Sequence, residues 1–92
     1  MEPQAADAII DDFLGAHYRL SIIERADGSA IDANVARFIK MIGTDAAIAA
    51  QAKVRLQELS DLESRMPEPS QLKRRCFISS VHIDFLRRTV GA

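Results

Sequence analysis

Apolar residues recur along this chain at intervals of three and four, which is the period of an amphipathic α-helix. The pattern predicts a first helix from Pro3 to about residue 26, where Asp27-Gly28 interrupts it. A second helix is predicted to be capped by Ser29 and to end near Gly43. The main stripe of the first helix is Ile9, Phe13, Ala16, Leu20 and Ile23, and that of the second is Ile31, Val35, Phe38, Ile39 and Ile42.

Two further helices complete the predicted fold. The third is capped by Thr44, and Pro67-Glu68-Pro69 ends it because proline cannot continue a helix. Ser70 then caps a fourth helix that runs to about Thr89. The stripe of the third helix is Ile48, Ala52, Leu56, Leu59, Leu62 and Met66. The sequence therefore predicts one domain over residues 1–92, an all-α, compact four-helix bundle with short turns.

An α+β fold is the alternative, with a short hairpin or a C-terminal strand. Residues 81–85 alternate between apolar and polar side chains, as a half-buried strand does. Residues 18–25, which precede Asp27-Gly28, would form one arm of a hairpin. The sequence offers neither segment a strand partner of comparable strength, so the bundle is favoured.

Two of the predicted helices carry more apolar surface than a small bundle hides. The fourth is apolar around more than half of its circumference, which predicts burial by several neighbours. The first has a second apolar face, made of Ile10, Leu14, Tyr18 and Ile22 at intervals of four. This face packs either against the chain termini or against another molecule, and the second possibility predicts a homodimer or a partner complex.

Charge is distributed unevenly along the chain, although the net charge is only −1. Residues 1–36 hold seven acidic and two basic residues, whereas residues 67–92 hold five basic and two acidic ones. The two ends can attract each other within one bundle, across a dimer, or through a charged partner. No apolar run is long enough to span a membrane, and the N-terminus lacks a signal-peptide pattern. The single cysteine fits a reducing compartment, so we expect a cytoplasmic protein.

Patterns that carry chemistry are weak. Cys76 and His82 would point about 120° apart on one helix, so they cannot act as a nucleophile and its base. The adjacent carboxylates of Asp11 and Asp12 also point apart, which disfavours a metal site with His17. The sequence contains no glycine-rich loop to hold a phosphate group. We therefore expect no enzymatic activity, no cofactor, no metal and no small-molecule substrate.

Nucleic-acid binding is the stronger rival function. The candidate phosphate contacts are Lys73, Arg74, Arg75, Arg87 and Arg88, at the two ends of the fourth helix. The segment between them is too apolar to read base edges in a groove, and the predicted isoelectric point is about 6.1.

The favoured hypothesis is a non-enzymatic regulatory module that binds and masks a surface of a partner protein. Leu14, Tyr18 and Ile22 would be its apolar anchors, and Asp11 and Asp12 an acidic rim that steers a basic partner. An inhibitor or antagonist from a mobile element is one form of this hypothesis, because the acidic first third could imitate nucleic acid. The alternative is a nucleic-acid-associated regulator that uses the basic ends of the fourth helix.

Overall fold

The computed structural model describes residues 2–64 and 73–91, and for residues 73–79 it describes the backbone alone. Its elements are α1 (Pro3–Tyr18), a π-helical turn (Arg19–Ile23), α2 (Gly28–Thr44), α3 (Ala46–Ser64) and α4 (Lys73–Thr89). Each of these four helices contacts the other three. The predicted all-α bundle is therefore confirmed. The predicted linker at Pro67-Glu68-Pro69, the Ser70 cap and Met66 lie outside the described residues.

The two segments that an α+β fold would use as strands are helical. Residues 81–85 lie within α4, and residues 18–23 form the end of α1 and the π-helical turn. No strand occurs within residues 2–64 and 73–91. In the same ranges, no helix combines the length and the apolar character that crossing a membrane requires.

The first helix ends earlier than the sequence pattern predicted, and the chain then widens into the π-helical turn. The Glu24 N–H donates to the Arg19 carbonyl at 2.8 Å, five residues back instead of four. Arg25 follows with a φ of 47°, a left-handed conformation that costs a residue with a Cβ about 1–2 kcal/mol. The first helical segment therefore ends before Asp27, and Asp27 is the N-cap of α2.

Aspartate side chains cap α2 and α3, in place of the predicted hydroxyl residues. Asp27 Oδ1 accepts hydrogen bonds from the Ser29 hydroxyl at 2.7 Å and the Ala30 N–H at 3.1 Å. These two bonds, the first above all, lower the pKa of Asp27. Asp45 Oδ1 accepts from two backbone N–H groups of α3, at 3.0 and 3.3 Å. The Thr44 hydroxyl instead donates to a carbonyl in the last turn of α2, at 3.1 Å. A carboxylate is the stronger acceptor, so it takes the cap.

All four helices contribute to one hydrophobic core. Its buried members are Ala6, Ile10, Leu14, Phe38, Ile48, Ala52, Phe85 and Leu86. In α1 the buried face passes through Ile10 and Leu14, while Ile9 and Phe13 are only partly buried beside it. Ile23, predicted in the main stripe, is 68% exposed. The predicted second apolar face of the first helix is therefore the more buried one, and the predicted main stripe is the more exposed one.

A row of four rings runs through this core. Phe38 of α2 lies between Phe13 and Phe85, with ring centroids 4.9 and 5.2 Å away. The ring of His17 lies 5.0 Å from that of Phe85. All three pairs are tilted, an arrangement that favours aromatic contact. The row joins α1, α2 and α4, and it ends at a histidine beside the surface groove described next.

Candidate functional site

A surface groove of about 360 Å³ lies where the end of α1, the π-helical turn, the first turn of α2 and the outer face of α4 meet. Three half-buried aliphatic side chains, Ile22, Ile31 and Val81, supply its apolar surface. The remaining lining residues are polar or charged: His17, Ser21, Ser80, Asp84 and Arg88. The volume is at the lower end of the range for ligand pockets, about 300–1,000 Å³. The groove can hold one or two large side chains of another molecule.

The local sequence explains how these residues come together. Ser21 and Ile22 lie in the π-helical turn, which directly follows α1. Because Asp27 is the N-cap of α2, Ile31 falls in the first turn of that helix, close to the π-helical turn. On α4, Val81, Asp84 and Arg88 follow at intervals of three and four and share one face. The groove is thus lined by three separate parts of the chain.

His17 is the most buried residue of the groove lining, at 3% exposure. Its Nε2 lies 3.8 Å from Asp84 Oδ2, too far for a hydrogen bond, and its buried Nδ1 has no hydrogen-bond partner among the described residues. Burial lowers the pKa of His17; Asp84 opposes this effect and Arg88 reinforces it. Asp84 also pairs with Arg88 at 3.1 Å. At neutral pH the groove therefore contains a neutral imidazole below an exposed ion pair.

Acidification is expected to lower the free energy of unfolding, and His17 contributes to that loss. Burial lowers its pKa in the folded chain, so the unfolded chain, with a pKa near 6.5, binds the proton more tightly. The stability contribution of neutral His17 is complete above pH 6.5 and decreases as the pH falls towards the lowered pKa. Urea unfolding of wild type and His17→Phe, between about pH 7 and about pH 5, measures this difference. The variant should lose less stability than wild type.

His82 provides the matched control for that experiment. Burial lowers its pKa too, with Arg55 and, less strongly, His17 acting in the same direction, so His82→Phe should remove a further part of the pH dependence. At pH 7 we expect His17→Phe to be neutral or stabilising, because it removes a buried Nδ1 that has no partner in the described part of the chain. A steeper pH dependence in His17→Phe than in wild type would contradict the assignment.

A second polar cluster joins α1 to α3, away from the groove lining. The guanidinium of Arg55 donates to Asp7 at 3.1 Å and to Asp11 at 2.8 Å, and Gln51 donates to Asp7 at 3.0 Å. Burial by itself lowers the pKa of Arg55, but the hydrogen bonds to Asp11 and Asp7 raise it above its ordinary value. The charge of Asp11 is therefore offset within the chain.

The predicted partner-binding residues do not share one surface. Leu14, predicted as an apolar anchor, is 1% exposed and belongs to the core, so it is not at the surface of the single chain. Tyr18 and Ile22 are half-buried, and Ile22 lines the groove. Asp11 faces α3, whereas Asp12 is exposed beside a smaller cavity of about 190 Å³. The reason is geometric. Because α1 packs against three helices, residues of α1 that are one or two turns apart contact different helices.

The predicted phosphate-binding residues are also divided. Arg87 and Arg88 are exposed at the end of α4, where Arg87 lies 4.0 Å from Glu63 and Arg88 pairs with Asp84. Among the described residues, the ion-pair partners of these two arginines therefore lie on α3 and α4. The side chains of Lys73, Arg74 and Arg75 lie outside the described residues. Among the described residues, no group of three or more His, Cys, Asp or Glu is placed to hold a metal ion.

Sequence reasoning missed most of the groove. Ile31 was predicted only as part of the apolar stripe of the second helix, Val81 only as part of a fourth helix buried by several neighbours, and His17 was considered only with the neighbouring aspartates. One signal was available, because Val81, Asp84 and Arg88 share a face of the predicted fourth helix. That face could not be matched to Ile22 and Ile31 without the packing of the helices.

Comparison with known proteins gives no relative: no protein-family model, no curated protein and no solved structure matches this chain. The geometry of the groove is therefore the main basis for a functional proposal.

Proposed function

We propose that this protein is a non-enzymatic interaction module, acting in the cytoplasm, that binds and masks a partner protein through the groove. The observation that carries the proposal is the apolar surface of Ile22, Ile31 and Val81, which the described part of the chain leaves partly exposed. Small bundles bury their apolar side chains where they can, and an open apolar groove with a charged rim is typical of an interaction site.

The partner segment that fits best is an amphipathic helix. Such a helix inserts apolar side chains from one face into a groove and leaves its polar face in water. The groove offers aliphatic contacts at its floor, and Asp84 and Arg88 at its rim, each about half exposed. Rim charges of both signs favour a helix with both acidic and basic side chains beside its apolar anchors, and they fix its orientation more than its affinity.

Filling the groove should abolish partner binding. In Ser80→Trp, an exposed lining residue becomes a large apolar side chain that occupies the groove. Val54→Glu is the matched control, because Val54 is an exposed aliphatic residue of α3 outside the groove lining. Immobilised wild type, Ser80→Trp and Val54→Glu are compared for proteins retained from a lysate of the native host, followed by titration with the purified partner.

We expect a partner that wild type and Val54→Glu retain equally and that Ser80→Trp binds at least about tenfold more weakly. Retention that is identical in all three proteins would overturn the proposal. So would retention of nucleic acid with a steep salt dependence, because that result favours the regulator with basic helix ends. Unfolding curves of each variant check that the fold is intact.

A further inference from the structure

The polar side of the groove holds a hydrogen-bond donor and an acceptor that face each other without being joined. His17 is almost fully buried, and neither of its ring nitrogens has a hydrogen-bond partner among the described residues. Because Nδ1 is buried, the imidazole meets the groove on its Nε2 side, 3.8 Å from Asp84 Oδ2. A neutral imidazole has one N–H, and the carboxylate beside Nε2 favours the hydrogen there. This N–H therefore faces a carboxylate that it does not reach.

The gap between these two groups fits a single hydroxyl group. An oxygen that accepts from an N–H at about 2.9 Å and donates to a carboxylate at about 2.7 Å holds its two partners about 4–5 Å apart. The observed separation is 3.8 Å, and the half-exposed side chain of Asp84 can move through the remaining distance. One hydroxyl then accepts from His17 and donates to Asp84. An apolar group in the same place would leave the imidazole N–H without a partner.

The rest of the groove selects the side chain that carries this hydroxyl. The three aliphatic residues of the lining offer more apolar surface than the short side chain of serine or threonine covers. Arg88 also lines the groove, and a guanidinium is attracted to the face of an aromatic ring. Tyrosine combines a flat apolar ring with a hydroxyl that both donates and accepts. Its two parts match the apolar and the polar side of the groove.

We propose that the groove takes a tyrosine side chain of the partner, whose phenol oxygen bridges His17 Nε2 and Asp84 Oδ2. This inference rests on the proposed function, because it names the residue with which the partner helix enters the same groove. His17 is then a specificity-determining residue. A phenylalanine covers the same apolar surface but leaves the N–H of His17 unpaired, so it should bind at least about tenfold more weakly than tyrosine.

The test uses 4-methylphenol, which is the tyrosine side chain as a free molecule, and toluene, which is the same ring without the hydroxyl. Each probe is titrated into the full chain at neutral pH. The NMR shifts of the His17 ring nitrogens and of the methyl groups of Ile22, Ile31 and Val81 report binding in the groove. We expect 4-methylphenol to bind with a Kd of roughly 1 mM, and toluene to bind at least about fivefold more weakly.

Two variants test the bridging groups one at a time. His17→Phe and Asp84→Ala each remove one partner of the phenol oxygen, so each should bring the two probes to within about twofold of each other in affinity. Asp61→Ala is the matched control, because Asp61 is an exposed carboxylate of α3 outside the groove lining, and it should keep the wild-type preference. Equal affinity of wild type for both probes, unshifted groove methyl groups, or an unchanged preference in either variant would overturn the inference.

Partner binding separates this inference from the proposed function. Each tyrosine on the binding helix of a groove-dependent partner is changed to phenylalanine, and we expect one of these changes to weaken binding at least about tenfold. If the partner depends on the groove and none of the changes weakens it, the inference fails and the proposed function stands. If both probes and all variants behave as expected and no groove-dependent partner is found, the hydroxyl site stands and the proposed function fails.

Discussion

Replacing Phe85 with alanine is expected to lower the free energy of unfolding by about 3–5 kcal/mol. Phe85 is fully buried, and its ring touches those of Phe38 and His17, so its loss opens a cavity where α1, α2 and α4 meet. Domains of this size are stable by about 5–15 kcal/mol, so the variant loses a large part of its stability. Urea unfolding followed by circular dichroism measures the change.

Leu62→Ala is the control for Phe85→Ala, because Leu62 is a large apolar residue that is 50% exposed on α3. Its loss should change the free energy of unfolding by about 0.5 kcal/mol. If Phe85→Ala were as mild as Leu62→Ala, the row of aromatic rings would not be part of a packed core. A second variant, Phe38→Ala, should resemble Phe85→Ala, since Phe38 is equally buried in the same row.

Leu14→Ala is the second variant with a large expected effect. It should lower the free energy of unfolding by about 2–5 kcal/mol. The sequence pattern placed Leu14 on a partner-binding face, but in the structure it lies in the core cluster. The two assignments predict different results. Substitution of a core residue lowers the stability of the single chain at every concentration. Substitution of an interface residue weakens the association of two copies and leaves the monomer stable. Thermal unfolding of dilute samples distinguishes them.

Ile23→Ala provides the comparison within the same helical run. Because Ile23 is mostly exposed, its loss should change monomer stability by about 0.5 kcal/mol. If Leu14→Ala were stable and Ile23→Ala unstable, the buried face of this helical run would be the predicted main stripe, which contains Ile9, Phe13 and Ile23.

The helices could be predicted because their signals are local. Pro3 at the first turn, the Asp27-Gly28 pair and the three- and four-residue spacing all act within a few residues of one another. The caps were harder, because Asp27 and Ser29 are both suitable N-cap residues, and in the structure Asp27 accepts from the Ala30 N–H and from the Ser29 hydroxyl, so α2 begins two residues earlier than a serine cap would place it. An aspartate next to a predicted serine or threonine cap should therefore be considered first.

The faces of the first helix were not predictable from spacing. Ile9 and Phe13 form one stripe, and Ile10 and Leu14 form another, both with good helical periodicity. Which stripe is buried depends on where the other three helices lie, and those contacts join residues far apart in sequence. The groove has the same origin, since Ile22, Ile31 and Val81 belong to three different segments.

The π-helical turn has a consequence for how related chains should be compared. A hydrogen bond that reaches back five residues takes up one residue more than the same turn of an α-helix. A homologue in which this turn is α-helical would therefore align with a one-residue gap within residues 19–23. Such a gap would rotate everything that follows α1, so Ile22 and Ile23 would have no counterparts in the same places. Gaps at this position could thus sort future homologues into those that keep the groove and those that do not.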